Sequence, residues 1–155
     1  MAETRGTTEL RRAGVEHRLM AYAYAGGGGA AGQAAEALGV EPERMFKSLV
    51  AAAGDELVFA LVPAGGELSL KKLAASAGTK QARMAEPRDA ERVTGYQVGG
   101  ISPLGSWRRL LVFLDASALG HERICLNAGG RGAIVELDTA ALVPLVDAIC
   151  ADLQA

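Results

Sequence analysis

The stretch KSLVAAAGDELVFALVP, residues 47–63, constrains this chain more than any other. Two apolar runs meet across Gly54-Asp55, a pair suited to the two-residue turn of an antiparallel hairpin. The second run is almost continuously apolar, as a strand is when both its faces are buried, so it is expected at the centre of a sheet. Further on, LLVFLDA and RICLNAG read as strands, and AIVELD pairs with the latter through the turn at Gly129 to Gly132. Two antiparallel pairs among interspersed helices do not fit a purely parallel doubly wound sheet. The expectation is an α+β fold: a mixed sheet with flanking helices, without internal repeat or linker.

The helices are placed by their ends. One is expected over 8–13, stopped by Gly14, and one over 33–38, with Gly39 as its C-terminal cap. A third follows Ser69 as N-cap, with Leu70 and Leu73 turned inward and Gly78 beyond its end. A fourth opens at EPRDAERVTG, with Pro87 in the first turn, where a missing amide hydrogen costs little. The C-terminal TAALVPLVDAICADLQA reads as an amphipathic helix whose regular part begins late, because Pro144 cannot donate in an interior turn. EHRLMAYAY alternates like a half-buried strand, and residues 80–84 are a further strand candidate. Between the first strand and second helix, AGGGGAAG reads as a mobile loop. It lacks the GKS or GKT ending of a phosphate-cradling loop.

A chain of 155 residues that is 50% hydrophobic can bury a sufficient core as one domain, residues 1–155, without disulfides or a structural metal. Cys125 and Cys150 lie in apolar stretches with neither CxxC spacing nor a nearby histidine pair, so they are expected as buried, reduced thiols and not as zinc ligands or a redox couple. MAETRGTTELRRAG carries acidic residues and no apolar run, which argues against a secretory signal or membrane anchor and for a cytoplasmic protein. The formal charge of −2 excludes a broad electrostatic grip on DNA or another long duplex. Local patches, Lys71, Lys72, Lys80 and Arg83 in one and Arg108, Arg109 and Arg131 in another, would suffice for a protein that touches only the last nucleotides of an RNA.

Two segments are hard to explain as scaffold. In MFKSL, Lys47 stands at the mouth of a strand among apolar neighbours, where a lysine needs water or a partner for its ammonium. In TGYQVGGISPLG, paired glycines precede Ile101, Ser102 and Pro103. Glycines admit a close ligand and expose backbone amides, and proline stiffens the loop, so such a segment can hold a carbonyl oxygen as charge builds on it. Taken alone, each has an ordinary reading as well, a snorkelling surface lysine and a tight turn.

Together and in this order, the two segments resemble the YbaK and prolyl-tRNA editing-domain family. The resemblance runs from EALGVEPERMFKSL through PAGGELSLKKLAASAGTK, MAEPRDAERVTGYQVGGISPLG and the GGRG hairpin to VELDTAALV. It implies a strongly curved mixed sheet, a pseudo-barrel packed by helices, and an aminoacyl-tRNA deacylase activity that needs no cofactor and no metal. The partners it implies are the acceptor end of a mischarged tRNA, that for proline, and prolyl-tRNA synthetase.

Carried over by residue, Lys47 matches the family's central lysine, Gly99 and Gly100 its glycine pair, Ser48 a small hydroxylated neighbour and Tyr22 an aromatic pocket residue. Ile101, Ser102 and Pro103 complete the loop. Three positions depart from the cysteine-specific pattern: Ala30 stands for a phenylalanine, Asn127 for a serine and Ile134 for an acidic residue. The resemblance leads to a mechanism in which the amides of Gly99 and Gly100 hold the ester oxygen, and Lys47 neutralises the terminal phosphate or the developing charge. The attacking group would be water, or the substrate's own thiol if the substrate is cysteine. A non-catalytic module that binds a tRNA end or a synthetase is the alternative. His17 and His121 lie outside the matched motifs and belong to no Ser-His-Asp order.

Overall fold

The hairpin at 47–63 builds the middle of a five-stranded sheet. A computed structural model describes residues 3–155. Along the chain run α1 (Arg5–Arg12), β1 (His17–Ala21), α2 (Ala30–Leu38), β2 (Phe46–Ala53), β3 (Glu56–Pro63), α3 (Leu70–Ala77) and β4 (Ala82–Met84). They are followed by α4 (Pro87–Thr94), β5 (Val112–Asp115), a 3-10 turn (Ala116–Gly120), β6 (Arg123–Asn127), β7 (Ala133–Asp138), α5 (Thr139–Leu145) and β8 (Ile149–Ala151). The larger sheet has the order β4-β2-β3-β5-β8 and the smaller one β1-β7-β6.

The larger sheet is mixed, since β2 runs antiparallel to β3 and β4 while β3, β5 and β8 are parallel neighbours. β3 is central, and its side chains alternate between two buried layers. Phe59 and Leu61 face the core between the two sheets, with Val112 and Leu114 of β5 and Ile124, Leu126, Val135 and Leu137 of the smaller sheet. Val58, Ala60 and Val62 face the other side, where Leu73 of α3 and Leu153 cover them. Because both faces are dry, the strand is apolar at every position from Leu57 to Pro63. Each fully buried large side chain contributes about 1.5–3 kcal/mol.

The two sheets meet but do not close into a barrel. Besides packing through this core, their backbones are joined among the described residues at an isolated parallel bridge, Met45 to Cys125, where the Cys125 amide donates to the Arg44 carbonyl at 2.8 Å. The pseudo-barrel of the sequence reading is therefore two sheets joined at a corner. Beside that corner, Ala34 and Ala35 of α2 pack on Met45, Cys125 and Ile134.

Local signals account for most helix ends. Thr4 and Thr7 form a reciprocal capping box, so α1 begins at Arg5, ahead of the start expected at residue 8. Ser69 accepts the Lys72 amide hydrogen at 3.1 Å, and Gly39, Gly78 and Gly95 end their helices in the left-handed conformation.

Three expectations change. First, α5 begins at Thr139 and ends just after Pro144, and the residues beyond it become strand β8. The proline stops a helix that started early, Asp147 turns the chain at φ 51, and the open parallel edge of β5 takes up Ile149–Ala151. Second, the glycine run is tied down. Gly26 to Gly29 all take positive φ, and Gln33 holds them: its Oε1 accepts the Ala25 amide hydrogen, and its Nε2 donates to the carbonyls of Gly26 and Gly28, each at 2.9 Å. Third, Cys125 is fully buried but Cys150 only partly so, both as free thiols. Burial, with Glu136 nearby, pushes the Cys125 thiol up to about 11.

Candidate functional site

A cavity of about 580 Å³ opens where β2, the start of α2 and the loop after α4 converge. Of the residues singled out in the sequence, Tyr22, Ala30, Lys47, Ser48, Gly99, Ile101, Asn127 and Ile134 line it, whereas Gly100, Ser102 and Pro103 do not. The division follows from how the loop is docked.

Three successive carbonyls of that loop are bound to the β6–β7 hairpin turn. Arg131 Nε donates to the Val98 carbonyl at 2.9 Å, Asn127 Nδ2 to that of Gly99 at 3.4 Å, and the Gly130 amide to that of Gly100 at 2.8 Å. Asn127 Oδ1 in turn accepts the Gly129 amide hydrogen at 2.6 Å. Asn127 therefore braces two loops with both ends of its amide, besides lining the cavity. Gly99, at φ +95, lies under the Tyr24 ring, whose hydroxyl would stand 2.7 Å from any Cβ there.

The docking decides which amides are available. The Gly100 N–H donates to the Gln97 carbonyl at 2.8 Å and is already committed. The amides of Gly99 and Ile101 have no hydrogen-bond acceptor among the described residues. Ser102 is buried behind the loop, and its Oγ accepts the Leu104 amide hydrogen at 3.1 Å.

The opposite wall comes from β2. Lys47 is half-buried and enters no hydrogen bond or ion pair among the described residues. Among the described residues Ser48 Oγ is buried without a hydrogen-bond partner, and no other buried side-chain polar atom is in that state. Leaving such a group unpaired costs about 1–3 kcal/mol.

A third wall, Gly28 to Gly32 at the start of α2, carries no side chain larger than a methyl group, which leaves room in the cavity. The Tyr22 hydroxyl donates to the Ala30 carbonyl at 3.2 Å. Burial, and secondly the neighbouring Tyr24, pushes the Tyr22 phenol up, so it serves as a neutral hydroxyl. Ile134 sits in the apolar cluster at the floor with Met45.

Tyr24 and Glu67 are among the wall residues that sequence reasoning passed over. Tyr24 lies one alternation beyond Tyr22 in EHRLMAYAY, and that spacing was the signal for it. Glu67 reaches the cavity from the segment after β3, and nothing local marks it. Neither histidine lines the cavity, and no group of three or more His, Cys, Asp or Glu side chains among the described residues is placed to hold a metal ion. No helix of the described residues is long and apolar enough to cross a membrane.

The family model for the aminoacyl-tRNA editing domain matches residues 28–145. The chain is 39% identical over 115 residues to the "Putative Cys-tRNA(Pro)/Cys-tRNA(Cys) deacylase EbsC" of Enterococcus faecalis, an alignment covering 73% of this chain and 70% of that protein. It is 30% identical over 105 residues to the proline–tRNA ligase of Limosilactobacillus fermentum, covering 64% of this chain and 18% of the ligase. Among solved structures it is similar to "a putative trans-editing enzyme for prolyl tRNA synthetase", with a TM-score of 0.84 at 27% identity, covering 97% of this chain and 95% of that one.

Proposed function

This chain belongs to the aminoacyl-tRNA editing domain family, and from that premise we propose that it hydrolyses in trans the ester of mischarged tRNA, acting on tRNA for proline that carries cysteine, alanine or 2-aminobutyrate. One observation supports the reading most: four residues lining the cavity carry polar groups without a partner among the described residues, the ammonium of Lys47, the buried hydroxyl of Ser48 and the amides of Gly99 and Ile101.

An aminoacyl ester is already activated, so its cleavage depends on positioning and on stabilising the oxyanion more than on a strong nucleophile. In this mechanism the amides of Gly99 and Ile101 receive the carbonyl oxygen as it becomes an oxyanion. Gly100 shapes the loop, its own amide being held by Gln97. Lys47 neutralises the terminal phosphate or the developing charge, and Ser48 hydrogen-bonds the substrate. Water attacks the carbonyl carbon, the tetrahedral intermediate collapses, and the terminal ribose hydroxyl leaves with a proton. With a cysteinyl ester the substrate's thiol can be the attacking group instead. The working partners are the acceptor end of the tRNA and, through it, prolyl-tRNA synthetase, in the cytoplasm.

A competing reading, a non-catalytic module for a tRNA end or a synthetase, draws on Ile134 and Asn127, which replace an acidic residue and a serine. Deacylation of cysteinyl-, alanyl-, seryl- and 2-aminobutyryl-tRNA for proline, at substoichiometric protein, separates the two. Many turnovers on at least one ester are expected. A hydrophobic wall discriminates by only about 1–3 kcal/mol per methylene, so alanyl and 2-aminobutyryl esters should be cleaved alongside cysteinyl. Tight binding of the tRNA with no turnover on any ester would establish the module. A preference for cysteinyl above about a thousandfold, beyond what one methylene provides, would establish thiol-assisted cleavage.

A further inference from the structure

Two residues of opposite charge line the cavity, the half-buried Lys47 and the exposed Glu67, and among the described residues neither pairs with the other or with anything else. An unpaired cation and an unpaired anion in one pocket suit a ligand that carries both charges. An aminoacylated RNA end does so, with a phosphodiester on one side of the ester carbonyl and an α-ammonium on the other.

The segment bearing Glu67 is held by backbone hydrogen bonds, while its carboxylate accepts none among the described residues. The Ala155 amide donates to the Glu67 carbonyl at 2.9 Å, the Ser69 amide to that of Leu153 at 2.7 Å, and the Gly66 amide to that of Pro63 at 2.9 Å. Leu68 and Gln154 form an isolated antiparallel bridge, and the Gln154 side chain fills the space that a side chain on Gly66 would need. The C-terminal segment thus fixes the backbone on which Glu67 stands. No other carboxylate lines the cavity among the described residues, and the floor position Ile134 is apolar.

Resting on the deacylase reading, we propose that Glu67 binds the α-ammonium of the aminoacyl group, which restricts the site to esters of amino acids whose α-amino group is free. A blocked amine loses the ion pair and leaves the carboxylate facing an amide that carries no charge. Glu67 is a specificity-determining residue in this account, and its effect falls on substrate binding.

The test compares alanyl-tRNA with N-acetylalanyl-tRNA on the full chain and on its Glu67→Gln and Glu67→Asp variants, with thermal melts alongside. The wild type should favour the free ester by roughly tenfold or more in kcat/KM, the scale of one charge-assisted contact that closes around its ligand. Glu67→Gln should lower kcat/KM for the free ester about five- to tenfold, chiefly through KM, and leave the N-acetyl ester unaffected, so that the ratio falls toward one. Glu67→Asp should retain part of the preference. Equal cleavage of both esters by the wild type would overturn the assignment, and so would a ratio unchanged in folded Glu67→Gln, which would mean that the acetyl group is rejected by bulk. A wild type that cleaves none of the four free esters of the panel would overturn the deacylase reading itself, and one that cleaves cysteinyl- but not alanyl-tRNA is compared on cysteinyl- and N-acetylcysteinyl-tRNA with the same expected and contradicting ratios.

Discussion

The Gly130 amide donates to the Gly100 carbonyl at 2.8 Å, and a Cβ on Gly100 would stand 2.5 Å from both the Gly130 carbonyl carbon and the Arg131 nitrogen. The loop that carries Gly99 and Ile101 is thus pressed backbone to backbone onto the β6–β7 turn. The absence of a side chain at Gly100 serves this contact, not access of the substrate. Gly100→Ala should therefore separate the two loops, lower the stability by about 1–3 kcal/mol, the usual cost of overpacking, and nearly abolish deacylation. A Gly100→Ala protein with unchanged Tm and full activity would show that the close approach is dispensable.

Ser48 should show opposite effects on stability and activity. Its hydroxyl is buried without a partner among the described residues, so Ser48→Ala removes an unsatisfied polar group and should leave Tm unchanged or raise it. The same variant should lose roughly tenfold in kcat/KM, the scale of one hydrogen bond made only to the ligand. A lower Tm with unaltered kinetics would place Ser48 in the scaffold and outside the site.

Acid should loosen the C-terminal segment first. Burial alone would raise the Asp115 carboxyl, but hydrogen bonds from Ser117, the Leu153 amide and the Gln154 side chain outweigh it and hold the group below its ordinary value. A carboxyl depressed in the folded state stabilises the fold above its unfolded pKa, and that contribution is lost as pH falls through the folded pKa. Hydrogen exchange should then show the amides of Leu153 and Ala155 losing protection at acid pH ahead of those of β3, and Asp115→Asn should produce the same pattern at neutral pH. Uniform loss of protection across the larger sheet would contradict this order.

Much of the fold was legible because its signals are local. The hairpin turn at Gly54-Asp55, the doubly apolar run of β3, the Ser69 cap and the glycine stops at Gly39 and Gly78 each lie within a few residues of what they determine. The C-terminal strand was not legible, because Ile149–Ala151 becomes a strand only where β5 offers a parallel edge, some 35 residues away in sequence. Gln33 was missed for a related reason. An amide side chain on a helix shows no preference for loop carbonyls until the chain folds back over it.

For the candidate site, residue type and order brought Lys47, Ser48, Gly99 and Ile101 into view. Which amide of the loop is already committed depends on the Gln97 carbonyl, and no sequence pattern encodes that. The backbone that carries Glu67 to the cavity is tied to Gln154 and Ala155, which follow β8 and lie far from it in sequence, so no local pattern marks it.

The measurement that bears most directly on the account is multiple-turnover deacylation of mischarged tRNA for proline by the wild type and by Lys47→Ala, each checked by thermal melting. Lys47 has no partner among the described residues, so its removal should leave Tm within about 1 °C, as for a surface change of less than 0.5 kcal/mol. The rate should fall by roughly a hundredfold or more, as when one electrostatic contact to the transition state is deleted. A folded Lys47→Ala protein that turns over at the wild-type rate would contradict the proposal that this pocket is where the ester is cleaved.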